Sequence, residues 1–151
     1  MESEVLSLLC DPDTRYSFEL EGNSLRNTAT GRVYPMRDGI PLFVSSVTGL
    51  NLKYKNFYDR IAPGYDVAER LYRLYKRIPD WRREILNELE VSVRARVLEV
   101  GVGTGANLRY LPPDADRFGV DLSWGMLHKC RRNMAKWGLN ANLFQCEAEG
   151  S

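Results

Sequence analysis

Glu99, Gly101, Gly103, Gly105 and Asp121 are the residues whose types and spacing point most directly to chemistry. Four of them lie in Val97-Leu-Glu-Val-Gly-Val-Gly-Thr-Gly-Ala-Asn107, and the fifth ends Arg117-Phe-Gly-Val-Asp121. The first tract reads as a buried strand, Arg96 to Val100, running into a glycine-rich turn and then a helix. Glycine reaches backbone angles closed to other residues and has no side chain to hold a ligand away. Such a turn therefore lets a small molecule lie against bare backbone at a helix N-terminus. Glu99 stands just before the first glycine, and Asp121 closes the next apolar run. The spacing describes a nucleoside-bearing ligand at the carboxyl ends of parallel strands. Gly101-x-Gly103-x-x-Ala106, with an acid roughly 20 residues on, also satisfies the dinucleotide fingerprint, so spacing alone permits NAD. An acid before the first glycine instead suits a cationic ligand and repels a pyrophosphate at short range.

The surrounding pattern supplies elements to position these residues. After Pro63-Gly64, Leu71, Leu74, Tyr75 and Ile78 recur at helical spacing, which predicts one face of an amphipathic helix. Pro79 ends or kinks it, and Asp80 is placed to cap a helix carrying Trp81, Ile85, Leu86 and Leu89 inward. After the first strand come a helix from about Ala106 to Tyr110, stopped by Pro112-Pro113, and the strand ending at Asp121. A helix with Met126, Leu127, Cys130 and Met134 follows and closes at Gly138; Ala141 to Cys146 makes a third strand. This alternation predicts an α/β fold with a doubly wound parallel sheet. Ser45 to Lys55 reads as a connector. Ahead of it, short apolar runs alternate with turn signals such as Asp11-Pro-Asp and Glu21-Gly-Asn-Ser, predicting a small β-rich module over residues 1–46. It is too short to bury much core alone and should either dock on the larger unit, residues 47–151, or be stapled.

The 151 residues are 44% hydrophobic and 27% charged, as in an ordinary globular domain. A net charge of +1 gives no reason to expect nucleic acid or an anionic membrane as partner. No apolar run approaches the length of a membrane span, and the acidic start Met-Glu-Ser-Glu is unlike a signal peptide. Cys10, Cys130 and Cys146 are scattered, which argues for reduced thiols and a cytoplasmic setting. Cys130 and Cys146 read as small buried hydrophobes, and His128, the only histidine, as a surface residue. Arg70, Arg73, Lys76, Arg77, Arg82 and Arg83 are interleaved with Glu69, Asp80 and Glu84 and read as a solvated helix face.

Glu99-x-Gly101-x-Gly103-Thr-Gly105 resembles motif I of class I S-adenosylmethionine-dependent methyltransferases. Phe57-Tyr-Asp-Arg-Ile-Ala-Pro-Gly-Tyr65-Asp66 resembles the lead-in segment of the ubiquinone/menaquinone-biosynthesis type of that family. The resemblance covers roughly Asn56 to the C-terminus and implies a Rossmann-like sheet with S-adenosylmethionine as cofactor. By that resemblance Tyr58 and Tyr65 lie over the cofactor, Glu99 meets its amino group, and Gly101, Gly103 and Gly105, with Asn107 closing the stretch, line its backbone side. Asp121 takes the ribose hydroxyls, and Leu122 and Met126 flank the adenine. Glu147-Ala148 stands where an acid-alanine pair meets the adenine edge; the family more usually has Asp at the acid. Tyr34-Pro-Met-Arg-Asp-Gly-Ile-Pro-Leu-Phe-Val resembles the end of zinc-ribbon-like modules. Cys10, Asp13, Asn27 and Thr30 fall where their cysteines would stand, so the resemblance implies a module that has lost its metal ligands.

The expected function is methyl transfer to a small organic acceptor, with this chain carrying mainly the cofactor-binding half. A catalytically incomplete binding or protein-interaction module is the alternative, and an NAD-dependent oxidoreductase a further one. No residue is assigned as catalytic and none as a metal ligand. Only the first three strands of the implied sheet are supplied, so the chain reads as an incomplete domain, either a fragment or a short natural product. The third strand is then expected to be an exposed edge inviting self-association.

Overall fold

The computed structural model describes residues 3–44, 46–79 and 81–148, which form two sheets bridged at their edges. A short helix α1 (Ser3–Leu8) precedes β1 (Phe18–Glu21), β2 (Ser24–Asn27), β3 (Val33–Arg37) and β4 (Ile40–Pro41), an antiparallel sheet in sequence order. Alternation along β3 turns Tyr34 and Met36 inward, where they join Phe18 and Leu25 in a small core.

Two matching turns organise this module. Asp11 Oδ1 accepts from the amides of Asp13 and Thr14, both at 2.9 Å, and Asn27 Oδ1 accepts from Ala29 and Thr30 at the same distance. Each turn closes on a residue with positive φ, Arg15 (64°) and Gly31 (72°), whose amide returns to the Asp11 or Asn27 carbonyl. Asn27 Nδ2 then donates to Asp11 Oδ2 at 2.8 Å, and the Tyr34 hydroxyl donates to the same oxygen at 2.7 Å. Burial pushes the Asp11 pKa up, but hydrogen bonds from Asn27, Tyr34 and the two amides outweigh it and hold it at about 2. The side chains that join the turns are therefore Asp11 and Asn27. Cys10 is exposed and Asp13 pairs with Arg32. Among the described residues no three potential metal ligands converge.

The larger unit begins with α2 (Gly49–Ile61), α3 (Tyr65–Lys76) and α4 (Trp81–Glu88). Most of the expected connector, Ser45 to Lys55, is thus the first half of α2. That helix buries no residue in the core, so its sequence carries no inward stripe to announce it. Strands β5 (Arg96–Val100), β6 (Asp116–Asp121) and β7 (Asn142–Gln145) form a parallel sheet in the order β5-β6-β7, with α5 (Trp124–Trp137) between the last two. Between β5 and β6 the described chain makes turns and a 3-10 segment, Leu108–Tyr110, in place of the expected helix. The α5 helix is locally specified. Ser123 Oγ caps it by accepting from Met126 N at 3.1 Å, and Gly138 ends it at φ 67°. Of its buried residues, Leu127, Cys130 and Met134 pack on one face of the sheet with Val102, Leu108 and Leu143. Arg117, 4% exposed, points its guanidinium under the loop before β6 and donates to the carbonyls of Leu108, Leu111, Pro112 and Ala115.

Three expectations are corrected here. The third strand, β7, is not an exposed edge: Leu42 bridges to Gln145, Phe43 N donates to the Gln145 carbonyl at 2.8 Å, and Phe43 stacks on Phe144. The open edge is β5, because spatial order places it outermost. The sheet is not doubly wound among the described residues. Val97 packs toward the core under α5, while Leu98 and Val100, on the opposite face by alternation, are 60% and 59% exposed. The apolar stripe of α4 also does not face inward, and nor does that of α3. Leu71, Leu74, Tyr75, Trp81, Ile85 and Leu89 are exposed, and only Leu86 packs against the core. Polar pairs tether α3 by its other side, Asp66 to Asn133 and Lys129, and Glu69 to Arg82. Asp80, expected to cap α4, lies outside the described residues.

Candidate functional site

A cleft of about 430 Å³ opens where the three parallel strands end. Its floor is Val100, Gly101 and Gly103 from the end of β5, Val120, Asp121, Leu122 and Ser123 from β6, and Cys146, Glu147 and Ala148 after β7. Met126 closes one side, and α2 with the start of α3 forms a roof carrying Tyr58 and Tyr65. Nine of the twelve expected cofactor residues therefore meet at one cavity: Tyr58, Tyr65, Gly101, Gly103, Asp121, Leu122, Met126, Glu147 and Ala148. Glu99, Gly105 and Asn107 stand behind it.

The glycine loop is held by β6. The amides of Gly101 and Val102 both donate to the Val120 carbonyl, and Gly103 N donates to Asp121 Oδ2 at 2.8 Å. Gly101 and Gly103 have φ of 70° and 54° with open space where a Cβ would stand, so backbone conformation dictates glycine there. Gly105 answers to packing. A Cβ on it would lie 2.6 Å from Cys130 Sγ and 2.7 Å from Met134 Cε, so this glycine sets the approach of the loop to α5.

Asp121 has a second backbone partner, with Oδ1 accepting from Ser123 N at 2.8 Å. Each oxygen keeps acceptor capacity for a ligand hydroxyl. Burial raises its pKa, the Ser123 and Gly103 amides pull it down, and the Asp59 charge pushes it up again. Behind the loop, Asn107 Nδ2 donates to Glu99 Oε1 at 2.6 Å, while Glu99 Oε2 is buried and accepts no hydrogen bond among the described residues. Burial raises the Glu99 pKa; Asn107 and the Arg82 charge lower it and the Asp121 charge raises it, leaving it above its ordinary value. A buried carboxylate oxygen without a donor is costly, and a cationic ligand would relieve it.

The roof is fixed by a residue that the sequence reading did not single out. Asp59 on α2 accepts from Ser123 Oγ at 2.6 Å and Gly125 N at 2.8 Å, and pairs with Lys55 at 2.8 Å. Burial pushes its pKa up, but Lys55, Ser123 and the Gly125 amide hold it below the ordinary range. Gly125 permits the contact, since a Cβ there would lie 2.9 Å from Asp59 Cα. Asn51, also on α2, donates to Glu147. Asp59 lies between two tyrosines noted for their rings, and only the tertiary contact reveals its role. Cys146 lines the cleft, contrary to the expectation of a merely buried thiol. Cys130 is buried, with its thiol pushed up to about 12 chiefly by burial. His128 lies away from the cleft, beside Asp38 and Trp124.

Residues 97–150 match a family model described as a methyltransferase domain. The ubiquinone/menaquinone biosynthesis C-methyltransferase UbiE of Syntrophotalea carbinolica is 37% identical over 75 residues, covering 46% of this chain and 30% of that protein. The chain thus spans less than a third of that relative's length. Among solved structures, the DhpI–SAH complex aligns over 67% of this chain and 47% of its own, at 27% identity and TM-score 0.49. An S-adenosylmethionine-dependent methyltransferase from Clostridium acetobutylicum aligns over 55% and 37%, at 24% identity and TM-score 0.45. Over residues 97–150 the chain is thus similar to a methyltransferase domain.

Proposed function

We propose that this chain, with its methyltransferase-domain match over residues 97–150, acts in S-adenosylmethionine-dependent methyl transfer to a small organic acceptor and carries mainly the cofactor-holding side. The observation that carries this reading is Glu99 Oε2, buried beside the glycine loop without a donor among the described residues. A pyrophosphate would meet repulsion there, whereas an α-ammonium group supplies the missing hydrogen bond and charge. S-adenosylmethionine, when bound, supplies a methyl group already activated by its sulfonium charge. The chain's own contribution is binding and orientation. The Gly101–Gly103 backbone forms a floor without side chains, and Asp121 offers carboxylate acceptors to the ribose hydroxyls. Leu122 and Met126 supply apolar walls, Glu147 and Ala148 the polar edge, and Tyr58 and Tyr65 cover the cleft. Asn107 holds Glu99, and Gly105 seats the loop on α5. Positioning and exclusion of water are the main demands of such a transfer, and a general base is needed only where the acceptor must lose a proton.

The division into a β-rich module, residues 1–46, and a methyltransferase portion, residues 47–151, belongs to the same proposal, as does a cytoplasmic setting. So does a module related to zinc ribbons, with the Asp11–Asn27 contact in the metal's place. Calorimetry with adenosylhomocysteine and with NADH tests the central assignment. Binding of adenosylhomocysteine alone is expected. Binding of NADH in its place would overturn the reading, and binding of neither would leave a protein-interaction role for the chain.

A further inference from the structure

Six cationic side chains and two carboxylates line a second cleft, of about 730 Å³, between α3, the 3-10 segment and α5; the whole chain has a net charge of only +1. Its lining shares no residue with the cofactor cleft. In sequence, the arginines of α3 look like one solvated helix face. In space, Arg70 and Arg77 converge with Arg109 and Lys136, which come from other elements.

Among the described residues, the two acids of the lining are engaged elsewhere than with Arg70, Arg77, Arg109 and Lys136. Glu69 is taken by Arg82, and Asp66 by Lys129 and Asn133. Arg70, Arg77, Arg109 and Lys136 form no ion pair among the described residues. Arg109 lies over two aromatic rings, with its guanidinium carbon 5.3 Å from the Trp137 centroid and 5.4 Å from the Tyr110 centroid. A cation–π contact uses the charge of a guanidinium without consuming its N–H donors, which can grip an anion. Arg77 ends α3 in the left-handed region, at φ 54°, a backbone state uncommon for a residue with a side chain. The cleft has the volume of a small-ligand site.

We propose that this second cleft binds a small ligand bearing two or more phosphate groups, gripped by Arg70, Arg77, Arg109 and Lys136 beside Trp137. Its occupancy is independent of the cofactor assignment. Inorganic pyrophosphate is the probe, titrated by calorimetry and by the fluorescence of Trp137, with Trp137→Phe identifying that signal. Binding is expected to weaken as salt rises from roughly 50 to 200 mM. The double variant Arg77→Ala/Lys136→Ala should lose about tenfold in pyrophosphate affinity. Asp66→Asn, which removes a negative charge from the rim, should tighten it about two- to fivefold and so guards against a trivial folding defect. Adenosylhomocysteine affinity should not change in the double variant. No pyrophosphate binding at low salt, or equal affinity in wild type and the double variant, would overturn the proposal. So would a single-stranded RNA oligonucleotide binding a hundredfold more tightly than pyrophosphate, since the occupant would then be a nucleic acid.

Discussion

Strands β5 and β7 flank the same central strand, yet one is an open edge and the other is closed. Leu143 and Phe144 of β7 are each 4% exposed, with α5 over one face and Phe43 against the other. Leu98 and Val100 of β5 are 60% and 59% exposed. Parallel sheets are normally covered on both faces; among the described residues the β7 flank is covered and the β5 flank is not. The module of β1 to β4 makes the difference: it sends Ile40 into the larger core and lays Leu42 and Phe43 along β7. The cofactor cleft spans both flanks. Its Asp121 and Glu147 side rests on packed structure, and its Val100 and Gly101 side rests on the open strand. Stability and ligand affinity should therefore respond to different substitutions.

The largest effect is expected where the glycine loop seats on the closed flank. Gly105→Ala would meet Cys130 and Met134 and force a side chain into the left-handed region, costing about 2–4 kcal/mol, read as a fall in the urea midpoint. The closed flank can also be attacked from a distance. Asp11→Ala leaves Asn27 and Tyr34 without their buried acceptor and should cost about 2–3 kcal/mol. With a folded pKa of about 2 against 3.8, the Asp11 carboxylate stabilises the fold fully above about pH 4. That stabilisation falls away as pH drops toward 2, so acid titration should show wild type and variant converging in stability. At the roof, Asp59→Ala removes the acceptor for Ser123 and Gly125, with an expected loss of about 1–2 kcal/mol and a several-fold weakening of adenosylhomocysteine binding. The smallest effect belongs to the uncovered helices. Leu74→Ala, at a residue 67% exposed, should change stability by no more than about 0.5 kcal/mol, whereas a loss of 2 kcal/mol or more would mean that its face is covered in solution.

The features legible in the sequence were those that short-range chemistry dictates. The glycine turn, the acids ending successive strands and α5 with its Gly138 stop are each written within a few residues. Spatial order is not written that way: β7 follows β6 in sequence, but nothing local says that β4 will cover its far edge. The stripe of Leu71, Leu74 and Tyr75 correctly announces an amphipathic helix and is silent on which side meets the protein. Helix α2 escaped notice because its useful residues, Asn51, Asp59 and Tyr58, serve a cleft and another helix's cap, so no core periodicity marks them. In the module, Cys10 drew attention as a cysteine, while Asp11 beside it makes the buried junction.

Glu99 offers the most direct test of the cofactor assignment. Adenosylhomocysteine and methylthioadenosine share the nucleoside, but only the former carries the ammonium group that Glu99 Oε2 is proposed to meet. Calorimetry of both ligands against wild type and Glu99→Gln should show about a tenfold to hundredfold loss for adenosylhomocysteine and little change for methylthioadenosine. Because burial raises the Glu99 pKa, wild-type affinity for adenosylhomocysteine should also decline on acidification sooner than an ordinary carboxylate would allow, and that decline should be missing in the variant. Equal losses for the two ligands, or none for either, would contradict the placement of the cofactor's ammonium group at Glu99.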